Sequence, residues 1–319
     1  MYVPQSNGVL EAKVRDYSGK FDVVTGAFGY TGKHIASKLL DSGHQVKTIT
    51  RHVQQSHVLE DRVHILPYFD RSTELTESLI GVDTVYNTHW TRFNRGGSSF
   101  GKAIRNTEVL LKAAEQAGAR KFVHISVSNA ERQQRFPYFR GKHEVEDMVR
   151  YSRLSYSILR PALIFGPEEI LINNIYFFIK RFHAFAIPGD GNYRIQPIHV
   201  DDLAEMAIES AQGNGSIEFD VAGPEDFTFN ELIGLLKRES GTFSIVFHAH
   251  PSVALFFADM IGKMLHDVVL TEDEMHSLME GLLESRNPTR GSKSFSSWLR
   301  EEGHNLGEIY AHELRRNYT

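Results

Sequence analysis

Apolar and polar positions along the first half of the chain switch repeatedly between a strand-like run and a helical period. Phe21–Thr25 (FDVVT) is a short β-branched run that stops at Gly26, as a buried strand would. Ile35, Leu39 and Leu40 then recur at helical spacing between Tyr30 and Ser42, with Gly43 as a stop. Gln45–Arg51 reads as a second strand and Val63–Phe69 as a third, followed by a short helix near Glu74–Ile80. Asp83–His89 is again a strand, Phe100–Ala117 a long helix, Lys121–Ser128 a strand and Tyr138–Tyr151 a helix. The run SYSILRPALIFG, residues 155–166, supplies one more strand. Strands and helices alternating at this spacing predict an α/β fold, a Rossmann-type doubly wound parallel sheet built from right-handed βαβ units.

After Gly166 the rhythm changes. Asn173–His183 is helical, Gln196–Gln212 and Ser216–Ala222 return to the sheet, and helix-rich sequence fills most of Glu225–Asn317. The expected organisation is a polar N-terminal extension over 1–18 and a sheet domain over 19–166 joined by about 196–222. Residues 167–195 and 223–319 form a smaller, mostly helical lobe for substrate.

Composition narrows the chemistry. Among 319 residues, 35 basic and 40 acidic side chains leave a net charge of −5. No basic field is present to hold a phosphate polymer, so a nucleic-acid partner is not expected. Cysteine is absent, which removes disulfides, thiol nucleophiles and thiolate metal sites. The histidines His248 and His250 have no third ligand at suitable spacing, so no metal is expected. No apolar stretch reaches the roughly 18 residues of a membrane span, and the N-terminus lacks the apolar middle of a signal peptide. A cytoplasmic protein with a small-molecule substrate is the expectation, a homodimer being left open. The Phe177-Phe178 and Phe256-Phe257 pairs read as packing.

The first strand ends in TGAFGYTG, which places Gly26, Gly29 and Gly32 at G-x-x-G-x-x-G between a strand and a helix. Such a loop lets a pyrophosphate approach the backbone and meet the amides of a helix N-terminus. Gly26, Phe28, Gly29, Tyr30 and Gly32 are therefore the candidate phosphate-binding positions. The second strand ends in Thr50-Arg51-His52, without the carboxylate that grips a ribose 2′-hydroxyl. Arg51 suits a 2′-phosphate instead, so NADP is expected over NAD.

From TGAFGYTGKHIASKLLDSGHQV through GVDTVYNT, KFVHISVS, YFRGK, RPALIFGP and IQPIHVDDLAEM to FDVAGPEDFTFNEL, about residues 21–223 resemble the short-chain dehydrogenase/reductase superfamily. The likeness is to its extended and atypical, epimerase/dehydratase-like members. It implies that Asp70 contacts the adenine amine, that Thr88 flanks the cofactor and that Pro161 opens the turn beside the nicotinamide. Tyr138-Phe-Arg-Gly-Lys142 then matches the family's Y-x-x-x-K, with Ser128 as the serine that polarises the substrate oxygen and Ser126 as its fallback. The i, i+4 spacing places both side chains on one helix face, where an ammonium is expected to lower the phenol's pKa. A second match, Tyr176-Phe-Phe-Ile-Lys180, shows that spacing alone does not discriminate; Tyr138 is preferred because it opens a helix after the serine-ended strand.

Three departures stand out. The strand end that is usually small reads Asn87-Thr88-His89-Trp90, Leu163 replaces the asparagine common in nucleotide-sugar enzymes, and the stretch before Tyr138 is short and charged. The resemblance implies an NADP-dependent oxidoreductase with Tyr138 as acid or base, Lys142 tuning it and holding the cofactor ribose. The alternatives are epimerisation or dehydration on a bound cofactor, or a non-catalytic sensor or structural subunit that keeps the nucleotide.

Overall fold

The computed structural model describes residues 20–50, 59, 61–132, 134–285 and 291–318. In its first half, β1 (Phe21–Thr25), α1 (Tyr30–Asp41), β2 (Val46–Ile49), β3 (Val63–Ile65), α2 (Ser72–Ser78) and β4 (Val82–Asn87) alternate. They are followed by α3 (Phe100–Gln116), β5 (Lys121–Ile125), α4 (Pro137–Tyr151), β6 (Ser155–Pro161) and β7 (Leu163–Phe165). The remainder holds α5 (Ile170–Phe182), β8 (Ala184–Pro188), β9 (Arg194–Ile195), β10 (Pro197–His199), α6 (Val200–Ser210) and β11 (Ile217–Val221). Last come β12 (Phe227–Thr228), α7 (Phe229–Glu239), β13 (Ile245–Ala249), α8 (Pro251–Leu265), α9 (Glu272–Met279), α10 (Phe295–Glu302) and α11 (Glu313–Asn317).

Seven strands form one sheet in the order β11-β6-β5-β4-β1-β2-β3, and every pairing is parallel. The order reverses between β1 and β4, which is where doubly wound sheets open a ligand crevice at their strand C-termini. Successive residues of β1 face opposite layers: Val23 joins the core under α3 and α4, Val24 the core under α1 and α6. The fold is thus the Rossmann-type α/β sheet that the alternating pattern predicts.

Two strands end earlier than the apolar runs suggest. Val63–Phe69 pairs only through Ile65, since Pro67 has no N–H for a ladder, although Leu66 and Phe69 stay buried. The run 155–166 divides at Ala162: β6 pairs with β5 and β11, while β7 leaves to pair with β10. The helical lobe also holds a parallel strand pair, β8 with β13, which periodicity missed because Ile245–Ala249 is short and mostly solvent-facing.

A third core lies in that lobe, where Phe165, Ile172, Ile179, Leu232, Leu236, Phe295 and Trp298 pack together. The Asp202 carboxylate ties the two parts, accepting from the Ser292 and Lys293 amides at 2.7 and 2.8 Å. His199 caps α6 by accepting from the Asp201 amide, so the His-Val-Asp-Asp run is a structural corner. Among the described residues no helix is long and apolar enough to cross a membrane.

Candidate functional site

The glycine loop follows β1 directly. Gly26 adopts φ +66°, a conformation that side chains with a Cβ disfavour, and a Cβ on Gly32 would lie 2.2 Å from the Gly26 carbonyl oxygen. Thr48 braces the loop from β2, accepting from the Ala27 amide at 3.0 Å and donating to the Val24 carbonyl at 2.8 Å. Among the described residues no side chain caps α1, and its first turn carries no acid. The cradle therefore fits a pyrophosphate: close backbone, a helix N-terminus, and no acid in the helix's own first turn.

Across the crevice, Thr88 Oγ1 donates to the Thr25 carbonyl at 2.5 Å, and Thr25 Oγ1 accepts from the Thr88 and His89 amides. These bonds fasten the end of β4 to the end of β1. Phe28 is buried in the loop, Asp70 is exposed in the turn after β3, and Pro161 ends β6. Arg51 lies outside the described residues, so its position toward a ribose phosphate is an expectation only.

Helix α4 starts at Pro137, which has no N–H to leave unpaired. Its position is fixed from below: Glu146, fully buried, accepts from Arg160 Nε and a terminal nitrogen at 2.8 and 2.7 Å. Tyr138 and Lys142 project from one face of this helix onto Trp90. The Trp90 ring meets Tyr138 edge-on with centroids 5.9 Å apart and stacks on Phe100 at 6.0 Å. Gly141 matters here, because a Cβ would lie 3.0 Å from the indole.

The electrostatics run against one sequence expectation. Burial pushes the Tyr138 phenol above its ordinary value, with Glu274 adding to the rise and Arg92 opposing it. Lys142 does not lower it. Instead the Lys142 ammonium donates to the Ile125 carbonyl at 2.8 Å and lies against the Trp90 ring. Burial holds its own pKa down at about 7, Glu146 acting against that.

The two candidate serines separate. Ser128 Oγ donates to the Arg160 carbonyl at 3.1 Å, and its amide bonds the Pro161 carbonyl. Ser126 Oγ is buried and, among the described residues, has no hydrogen-bond partner. The second Y-x-x-x-K match is structural: Tyr176 is in the lobe core and Lys180 donates to the Leu306 carbonyl.

A cavity of about 1010 Å³ runs from this crevice into the lobe. Tyr30, Val127, Tyr138, Ala162 and Leu163 line its inner end, and side chains of α5, β8, α8 and α9 line the rest. Sequence reasoning missed its polar groups. Arg92 forms an ion pair with Glu274, 182 residues away, and bonds Glu313; separation on that scale leaves no local signal. Glu169 caps α5 through the Leu171 and Ile172 amides, and burial raises its pKa to about 7. Glutamate is not among the residues that usually open a helix, so this cap left no signal in the sequence. The loop carrying Arg92 is held by Tyr318, whose ring stacks on Phe93 at 4.8 Å and whose hydroxyl accepts from the Phe93 amide.

The NAD(P)H-binding family matches residues 26–172. That stretch is an NAD(P)-binding Rossmann domain. Its span opens at the first glycine of the loop and takes in Tyr138, Lys142 and the turn at Pro161. Solved structures that share its fold include epimerases and reductases. A nucleoside-diphosphate-sugar epimerase from Staphylococcus aureus superposes with a TM-score of 0.70 at 20% identity, covering 88% of this chain and all of that one. The Escherichia coli NADPH-dependent quinone oxidoreductase QOR2, complexed with NADPH, gives 0.69 at 18% identity, covering 83% and 91%. In sequence, the chain is 25% identical over 231 residues to NADH dehydrogenase (ubiquinone) 1 alpha subcomplex subunit 9 of Arabidopsis thaliana. That match covers 69% of this chain but only 58% of the relative's length. Photosystem II assembly factor Ycf39 of Guillardia theta is 25% identical over 244 residues, covering 75% and 76%.

Proposed function

We propose that the protein is an NAD(P)H-dependent oxidoreductase of the short-chain reductase type, with Tyr138 as proton donor to a carbonyl oxygen held in the cavity. One observation carries this reading: a single cavity joins the glycine-loop residue Tyr30 and the strand-end residues Val127 and Ala162 to Tyr138. NAD(P)H, when bound, supplies hydride to a carbonyl carbon, and the oxygen then needs a proton. A phenol kept protonated by burial suits the acid role better than the base role. Neither Ser126 nor Ser128 is among the residues that line the cavity, and Ser128 already serves the Arg160 carbonyl, so the oxygen is held at Tyr138. Arg51 selects NADP.

The test is turnover of NADPH with a panel of carbonyl compounds. Tyr138→Phe should lower the rate by about 10²–10⁴ while cofactor affinity stays unchanged. A panel that never reoxidises bound NADPH, in wild type or variant, ends the enzyme reading.

A second reading, a cofactor-holding subunit or assembly factor with a protein partner, is favoured by a different observation. The sequence relatives above are named as a respiratory-complex subunit and an assembly factor. The Lys142 ammonium, moreover, is engaged by Trp90 and Ile125. Copurifying cofactor that resists every carbonyl and survives Tyr138→Phe supports this role.

A further inference from the structure

The walls of the cavity say which substrates fit. Beyond Tyr138 its described lining is almost wholly apolar, with Phe178, Phe185, Phe229, Phe247 and Ile261 among the side chains. The charged groups are Arg92, Glu169, Asp273 and Glu274, and Arg92 is already paired with Glu274. No cation is left among them for a diphosphate, and burial raises the pKa of Glu169. Leu163 faces the same space. Its volume, about 1010 Å³, is at the upper end of the roughly 300–1,000 Å³ usual for small-molecule pockets.

The mouth is apolar as well. Helix α8 covers the cavity but buries only Ala254 and Gly262. Phe257, Met260 and Met264 line the cavity and are also 44%, 49% and 60% exposed, with Phe256 beside them at 65%. Phe257 is therefore a rim residue and its neighbour Phe256 is exposed, so the pair is not core packing, which corrects the sequence expectation. Phe182 and Phe247, half-exposed, complete it from α5 and β13. Flexible methionines and aromatics at a mouth suit an occupant whose apolar body is long and variable in conformation.

We infer that the cavity takes a long-chain lipophile, an alkyl or isoprenoid chain of about ten or more carbons ending in one carbonyl or hydroxyl head. The head lies at Tyr138 and the chain runs under α8. This rests on the reading that a ligand shares the cavity with Tyr138, but not on turnover.

The experiment is calorimetric titration of the NADPH-loaded protein with butanol, octanol and dodecanol, alongside turnover of the matching aldehydes. Affinity should rise about three- to fourfold for each added methylene until the chain fills the space. Ala186→Trp, which fills the cavity from β8, and Met260→Glu, which puts a carboxylate at the mouth, should each cut dodecanol affinity more than about tenfold. Both should leave NADPH affinity unchanged. Equal affinity for butanol and dodecanol overturns the inference, as does dodecanol binding that neither variant weakens. Length-dependent binding without turnover supports the lipophile site and counts against the oxidoreductase alone.

Discussion

The Lys142 ammonium lies 4.6 Å from the centre of the Trp90 ring. A desolvated cation over an indole face is worth about 2 kcal/mol, and this contact is one of the few that favour the charged lysine at a buried site. Trp90→Leu should therefore lower the Lys142 pKa further. The proton released from Lys142, followed by NMR of the labelled side chain, should come off at lower pH in the variant. An unchanged midpoint would show that the indole is only a spacer.

The same lysine gives stability a pH dependence. Below its folded pKa of about 7, folded and unfolded chains both carry the proton. Between that value and the ordinary 10.5 only the unfolded chain does, so stability rises with pH across this window. The slope reaches at most about 1.4 kcal/mol per pH unit for one group. Urea denaturation from pH 7 upward should show wild type gaining on Lys142→Met; parallel profiles would refute the assignment.

Cofactor binding should respond very differently to two neighbouring glycines. Ala at position 32 would drive a methyl into the Gly26 carbonyl, whereas at Gly29 the nearest atom is 3.2 Å away. Gly32→Ala should weaken NADPH binding by more than about tenfold, and Gly29→Ala by clearly less. Fluorescence titration of NADPH ranks them, and the reverse order would mean that the loop grips its ligand elsewhere.

Arg51→Ala addresses cofactor choice. Loss of one charge-assisted contact of about 1.5–3 kcal/mol corresponds to a tenfold to hundredfold drop in NADPH affinity, with NADH affinity unchanged. Equal losses for both cofactors would remove the 2′-phosphate role.

Removing the Asp202 carboxylate should destabilise the fold without touching the cofactor. It leaves the Ser292 and Lys293 amides without their acceptor, at a cost of about 2–4 kcal/mol for Asp202→Ala. A urea midpoint close to wild type would show that another group takes over those amides.

How much of this was legible in the sequence follows from distance along the chain. FDVVTGAFGYTG carries its own strand, turn and helix start, so the sheet and the phosphate cradle could be read from adjacent residues. Tyr138 and Lys142 are four apart, so their shared face was legible too. Their electrostatic relationship was not, because it depends on Trp90, Glu146 and the Ile125 carbonyl, which other elements deliver. The apolar cavity was invisible for the same reason: α5, β8, α8 and α9 each look like ordinary lobe packing until they surround a space. Ser126 and Ser128 sit two residues apart just beyond β5, and the bond of Ser128 to the Arg160 carbonyl tells them apart.

Tyr318 closes a loop of 225 residues when its hydroxyl meets Phe93. A contact of such sequence separation forms late, because chain entropy must be overcome before it contributes anything. The phosphate cradle needs only neighbours within about one βαβ unit, so it can order first. Refolding should then show two phases, NADPH affinity returning before the segment around Arg92 is locked, with Tyr318→Ala abolishing only the second.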